Sequence, residues 1–507
     1  MRMLCSLDFS TGFLWSTLRM SIRTPPTLLQ LAAESLLRDQ ASAIAALEYL
    51  PAELFPQLFT LAFHSRQHQV LKAMTQTWPF TVLPLGSLKQ PLPVQVLKAV
   101  LDGLDLLLAQ EVRPRRCKLR VLDLRDRDSD FWRMWCGDST QKRSPTGPVA
   151  VHRSSPNMEH PLAPVEVFLD LNFNEGDREE FLMYVIQWAQ QREGLVHLCC
   201  KTLWIATVPF HRVRKVLDVV QLDCIQELVL NCTCDLTTLE MFAFYMGQMK
   251  NLQRLFLSHI HVLVEEEQDW GEEGEQDWEE EEEQEREEQE LQISFSQFFS
   301  QMLSPLHLCE LDLDSPSFLQ GHLDQLLGCL QTPLEKLTIT NCQSLTHSDL
   351  THLFQCPNLR QLKSLRLYCA SLADFSPEPL RALLEAVAPT LQVLGLDNCA
   401  MVDSQVEAIL PVLSCCHQLS FFTISQNRLS LATVGKLLRH TAGLRSLELE
   451  LYPVPQECYT TQGTVKQERL ALVRAELTGI LRELGKTRMI LLAAKHRGHR
   501  EVYAVPL

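Results

Sequence analysis

The side chains best suited to chemistry in this chain are its cysteines, and their spacing argues for packing rather than catalysis. There are 17 of them in 507 residues, and no Cys-x-x-Cys pair occurs. The Cys232-x-Cys234 pair and the doublets Cys199-Cys200 and Cys415-Cys416 lack the spacing of a tetrahedral zinc site, and no paired histidines complete one. A nucleophilic thiol needs basic groups beside it to hold it as a thiolate, and none stands out. The cysteines therefore read as buried free thiols of a reducing compartment. The chain is expected not to be an enzyme and to bind neither a metal nor another cofactor. Its work is expected to be contact with proteins.

Charge narrows the partners. The formal net charge is −16, and it is local: residues 265–290 carry seventeen acidic side chains against Arg286 alone. A run this charged cannot bury enough apolar surface to fold, so it reads as a disordered acidic insertion. The rest of the chain is close to neutral, which argues against direct contact with nucleic acid. No apolar run reaches the roughly 18 residues a membrane span needs. The first 19 residues are interrupted by Asp8 and by Ser10-Thr11 and do not make a signal peptide. A cytoplasmic or nuclear location, or both, is expected.

The element that must position any contact residue is a repeat. Leu334-x-x-Leu337-x-Ile339 returns as Leu362-x-x-Leu365-x-Leu367, Leu391-x-x-Leu394-x-Leu396, Leu419-x-x-Phe422-x-Ile424 and Leu444-x-x-Leu447-x-Leu449, its central residues 28, 29, 28 and 25 positions apart. This is the period and pattern of leucine-rich repeats, and Cys342 and Cys399 stand in the slot that takes Asn or Cys. The expected fold class is α/β, a leucine-rich-repeat solenoid or horseshoe of strand-plus-helix units. By strand alternation the leucines point inward and the residues between them outward. Outward residues include Glu335, Lys336, Thr338 and Thr340, then Lys363, Ser364, Arg366 and Tyr368. Arg366 and Tyr368 make the best candidate for a protein-substrate surface, because Tyr and Arg are enriched at interface centres.

Along the chain, residues 1–19 form an N-terminal extension and 20–90 an all-helical cap. Thr24-Pro25-Pro26 starts its first helix, a second runs from about Ala41 to Leu50, and Pro51 opens a third. Residues 78–86 read as a breaker-rich connection. Irregular repeats fill 91–264, with a first repeat-like strand at Leu119–Leu124 and a polar loop at 137–162. The acidic insertion takes 265–290 and the regular repeats 291–455. A C-terminal helix and an irregular tail close the chain at 456–507.

Six segments carry a family resemblance: ALEYLPAELFPQLFTLAF (46–63), LKAMTQTWPFTVLPLG (71–86), VLDGLDLLLAQEVRPRR (100–116), LFLSHIH (255–261), SPEPLRALLEA (376–386) and LYPVP (451–455). Together they resemble the family of the preferentially expressed antigen in melanoma, over Met20 to about Leu492. The N-terminal extension and the acidic block depart from that family's pattern. The resemblance implies a substrate-recognition subunit of a cullin-2 RING ubiquitin ligase, docked through Elongin B and Elongin C, with an unidentified protein substrate on the repeats. Two boxes fit this. Thr27-Leu28-x-x-x-Ala32-x-x-x-Leu36 matches an Elongin C box, in which a leucine enters a groove and a small residue one turn on permits close approach. Leu50-Pro51-x-x-Leu54-x-x-x-Leu58 matches a cullin-2 box.

The resemblance also supplies an alternative. It is a corepressor-type protein acting on retinoic acid receptor signalling, with roles in proliferation, differentiation and apoptosis and with nuclear receptors as partners. Leu-x-x-Leu-Leu segments stand at Leu104–Leu108, Leu323–Leu327 and Leu380–Leu384, and the family's C-terminal version becomes Leu477-Thr-Gly-Ile480-Leu481 here. Leucines at this spacing on repeat helices are expected to be core.

Overall fold

A computed structural model describes residues 27–88, 92–110, 114–125, 132, 164–173, 179–206, 210–231, 234–260, 262–263, 299–300, 303, 306–315, 319–485, 489–496 and 499–506. The expectations for residues 1–19, for the loop at 137–162 and for the acidic stretch 265–290 lie outside the described residues. The chain divides into two compact units. The first comprises Met1–Thr81, Leu92–Leu119 and Asp128–Pro156; the second comprises Val82–Pro91, Arg120–Arg127 and Asn157–Leu507.

The first unit is helical: α1 (Leu28–Leu37), α2 (Gln40–Ala46), α3 (Phe55–His64), α4 (His68–Gln76) and α5 (Val94–Leu108). Its core is aromatic, with the Phe59 ring 5.3 Å from Trp78 and 5.6 Å from Trp132. Helices α4 and α5 approach closely at Gly103, where a methyl group would lie 2.6 Å from the Lys72 carbonyl oxygen. That packing draws α5 into this unit, past the boundary expected near residue 90. The third helix does not begin at Pro51. Ala52–Leu54 form a 3₁₀ turn, and α3 starts at Phe55 with Pro56 in its first turn. The reason is Pro56, which has no N–H to give to a carbonyl one turn earlier and is tolerated only at a helix start.

The second unit is mixed α/β, built on one long sheet. Its strands are β1 (Val82–Pro84), β2 (Val121–Asp123), β3 (Val165–Phe173), β4 (Val196–Ala206), β5 (Val220–Gln221), β6 (Glu227–Asn231), β7 (Cys234–Asp235), β8 (Arg254–Ser258), β9 (Val262–Leu263), β10 (Glu310–Asp314), β11 (Lys336–Thr340), β12 (Ser364–Tyr368), β13 (Val393–Asp397), β14 (Phe421–Thr423), β15 (Leu449–Pro453), β16 (Ile490–His496) and β17 (His499–Val505). They pair in chain order, except that β5 lies beside β4 off this path and β7 pairs with β9 separately. The pairs along the path are parallel until the antiparallel β16–β17 hairpin. Between strands the chain returns through helices such as α6 (His347–Gln355), α7 (Pro377–Val387), α8 (Asp403–Leu413), α9 (Leu431–Thr441) and finally α10 (Gln467–Glu483). This succession is consistent with a repeat solenoid.

The register aligns the leucines into buried rows. Leu228, Leu255, Leu311, Leu337, Leu365, Leu394 and Phe422 are successive partners across seven strands. Just past the strands, His259, Ser315, Asn341, Cys369, Asn398 and Gln426 take positive φ between 52° and 62°. The same left-handed bend turns the chain off the sheet each time. One residue on, Cys342, Cys399 and Asn427 are buried in equivalent places, as the repeat pattern requires. Asn427 shows what the slot does. Its Nδ2 donates to the carbonyls of Leu396 (2.7 Å) and Ile424 (2.9 Å), and its Oδ1 accepts from the backbone N–H of Cys399 and of Met401, both 3.0 Å away.

Three sequence expectations are corrected. The last repeat is shifted by three residues: Glu450, not Leu447, pairs with Phe422. The inward slots therefore hold Glu450 and Tyr452, both fully buried. They satisfy each other, since Glu450 Oε2 accepts from the hydroxyls of Tyr452 (2.6 Å) and Thr441 (3.0 Å). An apolar template slides past such a pair onto the nearest leucines. Residues 82–84, read as part of a connection, are strand β1. The C-terminal tail, read as irregular, is the β16–β17 hairpin, with Ile490, Leu492 and Val505 buried.

The buried carboxylate gives a test. Glu450→Ala removes the acceptor that the Tyr452 and Thr441 hydroxyls share and should lower stability by about 1–3 kcal/mol in urea unfolding. Glu450→Gln keeps an acceptor and should cost clearly less. Equal losses for the two variants would show that hydrogen bonding does not hold this slot.

Candidate docking surfaces

The two sequence boxes lie on the helical unit and differ in exposure. Helix α1 is started by a capping box: the Thr27 hydroxyl accepts from the Gln30 N–H (3.2 Å), and the Gln30 side chain accepts from the Thr27 N–H (2.8 Å). The helix buries Leu37 against its unit. On another stripe Leu28 is 87% exposed, Ala32 is exposed and Leu36 is half-buried. Leu29 and Leu31, which the box does not name, are also exposed. A capped, ten-residue helix thus presents an apolar face to solvent.

The second box is divided. Pro51 is exposed and Leu50 and Leu54 are half-buried, but Leu58 is 2% exposed and belongs to the core. Because α3 starts at Phe55, Leu54 lies in the turn before it and Leu58 within it, so the four residues do not form one helical stripe. The segment is held by a residue that the box does not include. Arg116 donates to the carbonyls of Leu47 (2.9 Å), Glu48 and Leu50, and its guanidinium lies 5.5 Å from the centre of the Phe55 ring. Tyr49, beside Leu50, is 83% exposed. Nothing in local spacing links Arg116 to this turn, since the contact spans more than sixty residues.

The third surface is the open face of the sheet, within the second unit. Leu365 and Leu367 are buried, Arg366 is exposed and Tyr368 is half-buried, as strand alternation predicts. Arg366 crosses β13 to reach β14, with its guanidinium 5.3 Å from the centre of the Phe421 ring. Gly395 makes the crossing possible: a methyl there would press to 3.4 Å on Arg366 Cγ and 3.3 Å on Thr423 Cγ2. The middle row of this face also holds Trp204, Val229, Phe256, Asp312 and Thr338. Trp204 is 41% exposed. The adjoining row is self-neutralised by Glu227–Arg254 (2.7 Å) and Glu310–Lys336 (3.3 Å). Asp312 is different. Among the described residues no cation lies within ion-pair distance of it. Burial, and then Asp314 and Glu310, push its pKa up to about 6 against the opposing pull of Arg366.

Comparison with known proteins supplies the family. Residues 25–132 match the model of the PRAME N-terminal domain, and residues 165–276 and 277–503 match that of the PRAME C-terminal domain. The human PRAME family member 12 is 47% identical over 476 residues, covering 94% of each chain. The human PRAME family member 8 is 45% identical, covering 93% of this chain and 95% of its own. The human PRAME family member 20 is 45% identical, covering 96% and 98%.

This chain belongs to the PRAME family.

The Leu-x-x-Leu-Leu segments of this PRAME family protein are spent on packing. Leu104, Leu107, Leu323, Leu326, Leu327, Leu380, Leu383, Leu384, Leu477 and Leu481 are all buried, and Leu108 and Ile480 are half-buried. The cysteines whose side chains are described are free thiols. Among the described residues no three His, Cys, Asp or Glu side chains converge as a metal site would require. Nor, among them, is any helix long and apolar enough to cross a membrane.

Asp312 titrates in a usable range. Its folded pKa lies above the unfolded value near 3.8. Below about pH 3 both states are protonated and there is no penalty; the penalty grows as pH rises past the unfolded value and levels off above about pH 6. Asp312→Asn should therefore stabilise the protein at pH 7 by on the order of 2 kcal/mol and leave it unchanged at about pH 3. A stability gain independent of pH would contradict the desolvation of this carboxylate.

Proposed function

We propose that this chain is the substrate-recognition subunit of a cullin-2/Elongin B–C RING ubiquitin ligase, acting as a non-catalytic adaptor. The helical unit docks the ligase: Thr27, Leu28, Ala32 and Leu36 meet Elongin C, and Leu50, Pro51 and Leu54 meet cullin-2, with Leu58 fixing that segment from the core. The second unit works as a leucine-rich-repeat horseshoe carrying the acidic stretch 265–290 as an insertion. Its open face, centred on Arg366 and Tyr368, holds an as yet unidentified protein substrate. The role needs neither nucleic acid nor membrane and belongs in the cytoplasm, the nucleus or both.

The observation that carries this reading is the stripe on α1. A monomeric fold gains by burying leucines, and covering one such side chain is worth about 1.5–3 kcal/mol. Here Leu28 stays outside while Leu37 of the same helix packs inward. Apolar stripes of this kind on a helix are what a partner's groove receives. The corepressor reading has no comparable support, since its leucines would have to leave the core to be read.

Two sets of variants test the proposal. Leu28→Ala with Ala32→Phe should weaken capture of Elongin B–C by roughly 2–4 kcal/mol, the range of a lost hot spot, without lowering Tm, because both positions face solvent. Leu50→Ala with Pro51→Ala should lose cullin-2 and keep Elongin. Wild-type capture by the first variant, or cullin-5 bound in place of cullin-2, would sink the assignment. On the sheet, Arg366→Glu with Tyr368→Ala should lose substrate proteins from a proximity-labelling profile while Elongin stays. Leu383→Ala with Leu384→Ala should instead lower Tm sharply. If that variant stays folded and loses a nuclear receptor, and the sheet variant keeps every partner, the corepressor reading replaces this one.

A further inference from the structure

The fold brings together two cysteines that are 25 residues apart in sequence. Cys199 lies on β4, beside Gln221 of β5, its Cα partner in the sheet. Cys224 ends the 3₁₀ turn Leu222–Cys224 that follows β5. Both thiols converge on one oxygen: Gln221 Oε1 is 3.5 Å from Cys199 Sγ and 3.6 Å from Cys224 Sγ. Cys199 is buried and Cys224 is half-buried, so one sulfur is sheltered and the other can be reached.

We propose that Cys199 and Cys224 form a reversible redox pair, oxidised to a disulfide by hydroperoxides. The arrangement supplies the two roles such a pair needs. The two thiols, sharing this acceptor, also act on each other's protons: the Cys199 thiol holds Cys224 below the usual thiol range, assisted by Lys201 and opposed by burial, Asp223 and Glu166. Cys224 and then burial push the Cys199 thiol the other way, well above the usual range. Cys224 is therefore the attacking sulfur and Cys199 the resolving one.

The chemistry balances. The Cys224 thiolate attacks one oxygen of hydrogen peroxide, the O–O bond breaks and hydroxide leaves, giving a sulfenic acid at Cys224. Cys199 sulfur then attacks Cys224 sulfur. The S–O bond breaks, the S–S bond forms, and the departing hydroxide takes the Cys199 proton as water. Two electrons pass from the thiol pair to the peroxide, and a dithiol reductant reverses the bond by exchange. The product ties the long strand β4 to the turn after β5 and so locks one place in the ladder. Two other cysteines stand in different surroundings. Cys200 is fully buried, and burial pushes its thiol up to about 12. Cys415 is exposed but has no second thiol in its hydrogen-bond set, where its sulfur meets the Pro411 carbonyl.

The test uses the full chain, treated with hydrogen peroxide, alkylated and digested for mass spectrometry. The expected product is a cross-linked peptide pair joining Cys199 to Cys224, lost on adding dithiothreitol, while Cys200 remains unalkylated and reports an intact fold. Cys224→Ser should abolish the cross-link. Cys199→Ser should leave a sulfenic acid at Cys224 that dimedone traps; Cys199→Ala replaces it if alkylation of Cys200 shows that the serine variant has opened. The proposal is overturned if peroxide oxidises Cys415 while Cys199 and Cys224 remain separate, alkylatable thiols. It is equally overturned if they join only under conditions in which Cys200 also reacts.

Discussion

A five-residue strand cannot by itself bury its leucines and also satisfy its backbone N–H and C=O groups. In this protein both needs are met by the next strand, set in parallel and in register, so that Leu337 meets Leu365 and Leu365 meets Leu394. The rest of the second unit follows from that pairing. Register sets which residues face in, and the left-handed bend after the strands sends the chain back through a helix. Asn427 then gathers the backbone groups of two successive turns. Stability of this kind adds up between neighbours and leaves the other face of each strand unconstrained.

That freedom is where recognition is built. Between the buried leucines, the open face needs only residues that tolerate water, yet it carries aromatic groups, an arginine laid across Gly395 onto Phe421, and at Asp312 a carboxylate whose proton is held by burial. The helical unit keeps a different reserve. Its aromatic core around Phe59, Trp78 and Trp132 does not need Leu28, and a capping box holds α1 with that side chain exposed. One unit offers an apolar helix and the other a polar and aromatic sheet face, which are different chemistries for different partners.

Much of this was legible in the residues because it obeys a period. The spacing from Leu334 to Ile424 located four strands, and alternation placed Leu365, Arg366 and Leu367 on their faces. The leucines of α1 marked a stripe, while Thr24-Pro25-Pro26 set its start three residues ahead of Thr27, the residue that caps it. What was missed broke the period. The last repeat hides two polar residues in apolar slots, legible only through their hydrogen bond. The strand at Val165–Phe173 does alternate, but it lies outside the leucine spacing, so the repeat pattern does not reach it. Pro56 moved a helix start that Pro51 had seemed to own. Long-range meetings left no local trace at all: Arg116 with the turn at Leu50, and Cys199 with Cys224, depend on how distant segments pack.

The central claim is that the exposed stripe of α1 is a docking seam rather than a face left over from folding. Hydrogen–deuterium exchange on the intact chain, with and without purified Elongin B–C, tests it most directly. The account predicts that the amides of α1 slow on addition of the complex, while those of β11 and β12 keep their rates. Unchanged exchange in α1 at saturating Elongin B–C, or protection that falls on the sheet instead, would contradict it.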